Sequence, residues 1–391
     1  MRPIIPNEDF ATRVVNTQIL MKEQGVDILL AYGNESEPQF QRYYSDYWPS
    51  FESAGVIMGQ TGDPLLLIGP ESMTFAKDRS RIHDIRRLAA FRESSNPEYP
   101  GHILETFNDV IDDLLNINHF KKLAIAGINL VPHFLFEELM ECLKKYDEIE
   151  VVRGDELVMQ LRMIKGPAEI NCLRYAGQIT AQTMEYVIEN IKPGMTELQV
   201  RGLALARMYE LGAENESYPT WVLAGEGGNQ AISRARHKII KENDLVHLQI
   251  GARYEGYAST IGRPLIFGKA EKWMLTAINA GYQGYNAIFD QLYAGNNAGK
   301  VAKVYADIMK ENGHYDWLLY GPCHATGLME GEPPWIEDGS DYTLLENMTF
   351  CICLFMGNNN TGYGFRLEDS IRIGTDGAEN MTNFRKDIII L

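Results

Sequence analysis

No run in this sequence approaches the ~18 consecutive apolar residues that a membrane-crossing helix needs, so no span is expected. Cysteine is scarce as well. The five, Cys142, Cys172, Cys323, Cys351 and Cys353, are scattered and odd in number, which excludes a disulfide framework. The opening Met1-Arg-Pro-Ile-Ile-Pro6 lacks the apolar core and the small-residue cleavage site of a secretory signal. Reduced thiols and a cytoplasmic protein are therefore expected. Positive charge is also short: Lys plus Arg number 36 against 53 Asp plus Glu, a net charge of −17. Such a field repels nucleic-acid phosphates and anionic membrane surfaces, and neither is expected as a partner. A small neutral or cationic substrate is compatible with it, and so is a charge that serves only solubility. Short repeats and low-complexity tracts are absent.

What remains is ordinary globular material, 45% hydrophobic and 23% charged, in 391 residues, enough for two domains. Helical and strand patterns alternate in the first part. Helices are expected over 10–24, 104–115 and 135–146, strands over 26–32 and 123–126, and a hairpin from 55–58 and 64–68. This is an α/β unit. A second pattern starts near Leu157. Pro167 sits at a first helical turn, where its missing donor costs nothing. Ile170, Leu173, Ile179, Met184, Val187, Ile188 and Ile191 then recur at mostly three-four spacing. Thr196 and Gln199 form a capping box for a helix reaching residue 211. Strands are expected over 245–267, helices over 272–292 and 298–312, and strands again to the end. The expected division is 1–155 and 156–391.

Four stretches of the second half carry more. They are Leu245-Val-His-Leu-Gln-Ile-Gly251 with Gly256-Tyr257, His324-Ala-Thr-Gly-Leu328 running on to Glu332-Pro333, Met348-Thr-Phe-Cys-Ile-Cys353, and Phe365-Arg-Leu-Glu-Asp369. In this order and spacing they resemble the motifs of the creatinase, prolidase and aminopeptidase P superfamily. Creatinase itself is approached at Leu161-Arg-Met-Ile-Lys165, Gly377-Ala-Glu-Asn-Met-Thr-Asn-Phe384 and Tyr43-Tyr-Ser-Asp-Tyr47. The resemblance implies an α+β protein: an N-terminal α/β creatinase-type domain and a C-terminal pita-bread domain, a curved antiparallel sheet covered by helices.

The resemblance also implies a place for two divalent metals, which the peptidase members hold with two Asp, one His and two Glu. The matching residues here are Gln249, Thr260, His324, Cys353 and Glu368, so three of the four carboxylates are missing. A pair of dications needs an anionic, oxygen-rich shell. The expectation is that no metal pair and no other cofactor is held. A single ion on His324, Cys353 and Glu368 is the alternative left open. Two further histidines of the peptidases fall on Ile232 and Gly331, and the first of these is the creatinase acid-base. Period-two alternation sets Cys351 and Cys353 on one strand face and Phe350, Ile352 and Leu354 on the other. Cys353 is accordingly read as a small buried thiol before it is read as a nucleophile.

Metal-free hydrolysis needs a proton shuttle and a stabiliser of developing charge. His324 is the expected shuttle, Glu368 its orienting carboxylate, and Arg366 a neighbour on the same strand face. Glu332 is the further catalytic candidate. Gln249, Thr260, Cys353, Tyr257 and Trp221 are expected to bind substrate, with Glu226, His237 and Trp335 around them. His247 shares a face with Gln249. The resemblance implies a homodimer in which a first-domain loop caps the partner's pocket, and Tyr43, Trp48 and Phe51 are the residues expected there. The substrate-binding Arg of creatinase is replaced in that loop by Phe51-Glu52-Ser53, which disfavours creatine. Glu52, Glu226, Glu332 and Glu368 would suit a cationic nitrogen compound. Structural alternatives stand beside these readings: a strand-end cap for His324, an ion pair for Glu368 and Arg366, satisfied polar histidines for His237 and His247, and a local aromatic cluster for Tyr43, Trp48 and Phe51. The expected activity is metal-independent hydrolysis of a C–N bond in a small, cationic, nitrogen-containing metabolite. The alternatives are a lyase on the same scaffold, a non-catalytic peptide-binding protein, and an Xaa-Pro peptidase with an atypical metal site.

Overall fold

The structure is a computed structural model and describes residues 2–115, 120–146 and 148–391. Backbone contacts divide it into Ile5–Arg162 and Met163–Leu391, the latter joined by the residues up to Ile4. The division falls after Arg162 and not at 155, because helix Asp155–Met163 is tied to the first unit. Gly154 N–H donates to Ile125 O (2.7 Å), and Gly127 N–H donates to Asp155 Oδ1 (3.3 Å).

The first unit is built on a mixed six-stranded sheet in the order Ile85–Arg87, Leu65–Ile68, Ala54–Gly59, Ile28–Gly33, Lys122–Ala126, Glu150–Arg153. Ile28–Gly33 is buried along its whole length, which explains its unbroken apolar run at the sheet centre. It runs antiparallel to the hairpin strand Ala54–Gly59 and parallel to Lys122–Ala126. Helices Asn7–Gln24, Phe107–Leu115 and His133–Leu143 correspond to the three helical patterns.

The second unit carries the larger sheet, in the order Glu332–Ile336, Cys323–Ala325, Thr349–Gly357, Gly364–Ile373, Ile261–Ile266, Leu245–Ile250, Trp221–Ala224. Its strand pairs along this path are antiparallel. The stretch expected as long strands over 245–267 is cut into four. Glu255 and Gly256, both at positive φ, turn the chain between Ala252–Tyr254 and Tyr257–Ala258. Helix Pro167–Asn190 starts with Glu169 Oε2 accepting the Gly166 N–H (2.7 Å), and Glu197–Leu211 starts with the expected capping box of Thr196 and Gln199.

Helices Lys272–Gln291 and Ala298–Glu311 share one core with Phe350, Ile352, Leu354, Met356, Phe365 and Leu367. That core takes one face of the two longest strands. Phe350 is completely buried, and truncating it to Ala would cost about 3–5 kcal/mol. The opposite face of the same strands carries Cys351, Cys353, Arg366 and Glu368. Among the described residues no helix is long and apolar enough to cross a membrane.

Candidate active site

Strand register assembles the site. His324 stands opposite Cys351, and Cys353 opposite Glu368. Gly262 is paired with Glu368 on one side and Gln249 on the other. A Cβ at Gly262 would come within 3.0 Å of Glu368 Cβ. The missing side chain leaves the space through which Gln249 Nε2 donates directly to Glu368 Oε2. Cys351 Sγ lies 2.9 Å from the other carboxylate oxygen.

Arg366 enters the same network, with Nη1 donating to Gln249 Oε1 (2.8 Å) and Nη2 to Ala231 O (2.8 Å) and to the Tyr320 hydroxyl. The loop that supplies Ala231 is pinned from below by buried Glu197, which accepts from Ala224 N–H (2.9 Å), Arg236 N–H (2.8 Å) and the Arg236 guanidinium. The Arg366 guanidinium carbon lies 4.7 Å from the Trp221 ring centre and 5.6 Å from that of Phe355.

His324 Nδ1 lies 3.1 Å from Ala325 O, a pure acceptor, so Nδ1 carries a hydrogen. Nε2 faces Glu330 Oε1 at 3.4 Å. Burial lowers the basicity of this ring, but the Glu330 carboxylate and the Cys353 sulfur outweigh it and raise His324 to about 9. The Cys351 thiol, helped by Arg366 and His324 against the effect of burial, holds Cys353 well below the usual thiol range. Burial and the Cys353 charge push Glu368 well above the usual carboxylate range.

His247 lies behind Arg366. Its Nδ1 is 3.2 Å from Gly228 O, and burial beside Arg366 depresses its basicity to about 3. Its Nε2, Trp221 Nε1 and Arg366 Nε are buried with no hydrogen-bond partner among the described residues. Leaving such a group unpaired costs ~1–3 kcal/mol.

His324, Glu368, Arg366, Gln249 and Cys353 thus come together, with Trp221 against Arg366 and Trp335 against His324 (ring centres 5.0 Å apart). Thr260 is nearby but engaged, its hydroxyl 2.6 Å from that of Tyr218. The other candidates make contacts of their own. Glu332 Oε1 accepts the Met329 N–H (2.8 Å), serving the turn after His324. The Tyr257 hydroxyl donates to Glu169. Glu226 and His237 are exposed loop residues. In the first unit Tyr43 is buried, Trp48 Nε1 donates to Glu35 O (2.8 Å), Phe51 is 88% exposed, and Glu52 is buried against Ser72.

Two participants were not anticipated, Glu330 and Cys351. Glu330, not Glu368, makes the ion pair with His324. The three-ligand set of His324, Cys353 and Glu368 is also revised, because Cys351 is the register partner of His324. The donor atoms of His324, Glu330, Cys351 and Glu368 lie within 4.8 Å of one another. The alternation that puts Cys351 beside Cys353 was a usable signal. Glu330 had none, since it lies on an irregular turn.

The donor chemistry does not fit two divalent ions. Gln249 presents its amide nitrogen to Glu368 and its oxygen to Arg366, and Thr260 presents a neutral hydroxyl already bonded to Tyr218. Neither supplies the anionic oxygens that a carboxylate would bring to a pair of dications.

Known proteins agree on the scaffold. The X-Pro aminopeptidase of Thermotoga maritima superposes with a TM-score of 0.83 at 22% identity, covering 97% of this chain and 99% of that one. Dipeptidase PepE of Mycobacterium ulcerans gives 0.82 at 19%, covering 99% of each. In sequence, a probable dipeptidase PepE of Mycobacterium bovis is 28% identical over 246 residues, 61% of this chain and 64% of that protein, so the match spans less than two thirds of the relative. An Xaa-Pro dipeptidase of Pyrococcus furiosus is 24% identical over 283 residues, 72% of this chain and 79% of that one. Residues 171–375, just over half of the sequence, match the profile of metallopeptidase family M24, and this chain belongs to that family.

Proposed function

We propose that the chain hydrolyses a C–N bond in a small nitrogen-containing compound, with His324 as proton carrier and without the metal pair. The observation that supports this best is the contact of His324 Nε2 with Glu330 at 3.4 Å, on a ring whose Nδ1 is fixed by Ala325 O. Nε2 is then the nitrogen that exchanges its proton. In this reading the imidazolium gives that proton to the departing nitrogen. Water attacks the carbon, and the neutral ring takes up the proton that the water loses. Glu330 holds the ring in place, and Arg366 faces the negative charge that develops on the attacked group. Peptidase relatives cleave C–N bonds as well, which makes hydrolysis the parsimonious reaction type.

Amine release by chelator-treated protein is the test, with His324→Ala and elemental analysis alongside. Full activity in the His324→Ala variant would reject the assignment, and so would activity that chelation abolishes and a metal restores. A second reading, an Xaa-Pro peptidase with one ion, draws support from the four clustered donors His324, Glu330, Cys351 and Glu368. One stoichiometric ion per chain together with chelator sensitivity would favour it. A homodimer belongs to the main proposal, supported by the exposure of Phe51, and light scattering tests it.

A further inference from the structure

Three buried polar atoms around the Arg366 side chain have no hydrogen-bond partner among the described residues: His247 Nε2, Trp221 Nε1 and Arg366 Nε. They belong to one small group. The Trp221 and His247 rings are 6.2 Å apart and perpendicular, His247 and Phe355 are 6.4 Å apart, and Arg366 lies over Trp221. Their hydrogen-bonding roles are fixed. Trp221 Nε1 and Arg366 Nε can only donate. His247 Nδ1 faces the carbonyl of Gly228, which only accepts, so the hydrogen of the neutral ring is on Nδ1 and Nε2 carries the lone pair, with the Gln249 side chain also within reach of the ring. Burial beside Arg366 keeps that ring neutral. The group therefore offers two donors and one acceptor between aromatic faces.

We infer that His247, Trp221 and Arg366 form a subsite for a neutral planar amide or ureido group, whose oxygen accepts from Arg366 and Trp221 and whose N–H donates to His247 Nε2. The inference rests on the hydrolase reading and gives it a substrate class. A guanidinium or ammonium group has no acceptor for the two donors and would face the Arg366 charge, so the cationic substrate expected from Glu52, Glu226, Glu332 and Glu368 is disfavoured. His247 becomes the residue that sets specificity.

The test uses the full-length chain and three probes of equal length, N-carbamoylglycine, N-acetylglycine and guanidinoacetate, with binding measured by calorimetry. At least one neutral probe should bind, and guanidinoacetate about tenfold more weakly or worse. His247→Leu should weaken the neutral probe about tenfold, and His247→Gln, which keeps an acceptor at similar reach, by about threefold or less. Melting curves of both variants confirm folding. Guanidinoacetate binding as tightly as the neutral probes would overturn the subsite. So would unchanged binding in folded His247→Leu, or no neutral binding at roughly 10 mM. Amine release is followed separately. Neutral binding without hydrolysis upholds the subsite and rejects the hydrolase reading, whereas hydrolysis indifferent to His247 rejects the subsite alone.

Discussion

Arg366 donates through Nη1 to Gln249 Oε1 over 2.8 Å. The amide also donates to Glu368, so it is a neutral bridge between a cation and a carboxyl group. Gln249→Asp would replace the donor with a second carboxylate facing Glu368. We expect a loss of ~2–3 kcal/mol in urea unfolding at pH 7. An unchanged midpoint would show that the bridge contributes nothing to stability.

His324 and Glu330 should separate in their effects. His324→Ala should lower kcat by roughly 10²–10⁴, the usual range for a lost acid-base group. Glu330→Gln keeps the shape but removes the charge, and should lower kcat by about tenfold and shift the pH profile toward acid. Equal losses in the two variants, with no shift, would mean that Glu330 does not act through the ring.

The same pair predicts how stability depends on pH. His324 is raised from 6.5 to about 9, against burial, by Glu330 and Cys353. A group with a raised folded pKa contributes its full stabilisation below its unfolded value and loses it as pH rises through the folded one. Melting temperature should therefore fall between pH 6.5 and 9, and Glu330→Gln should flatten that slope. A wild-type curve level across this window would contradict the ion pair.

Arg263 and Asp369 form a fully buried pair (2.9 Å) between strands Ile261–Ile266 and Gly364–Ile373, beside Glu368. Thr382 Oγ1 also donates to this carboxylate (2.6 Å). Asp369→Ala leaves the guanidinium buried without its counter-ion and should cost about 3–5 kcal/mol in denaturant unfolding.

Local chemistry made much of the scaffold readable. The Thr196–Gln199 capping box, Pro167 at a first turn and the apolar strand ending at Gly33 each act within a few residues, and each lies where its pattern indicates. Strand alternation likewise separated Phe350, Ile352 and Leu354 from Cys351 and Cys353. What escaped depends on partners distant in sequence. Glu330 meets His324 through an irregular turn, and Gly262 matters because Gln249 and Glu368 flank it. His247 looked like any polar histidine, because its orphaned nitrogen is visible only once Trp221 and Arg366 surround it. The cut at Arg162 depended on which sheet would claim a short helix.

Strand Thr349–Gly357 turns Phe350, Ile352 and Leu354 inward against helices, while Cys351 and Cys353 look the other way. The two sides answer to different pressures. A side chain swapped on the cysteine side alters what the strand offers a ligand, while the apolar side that anchors it to the helices keeps its packing.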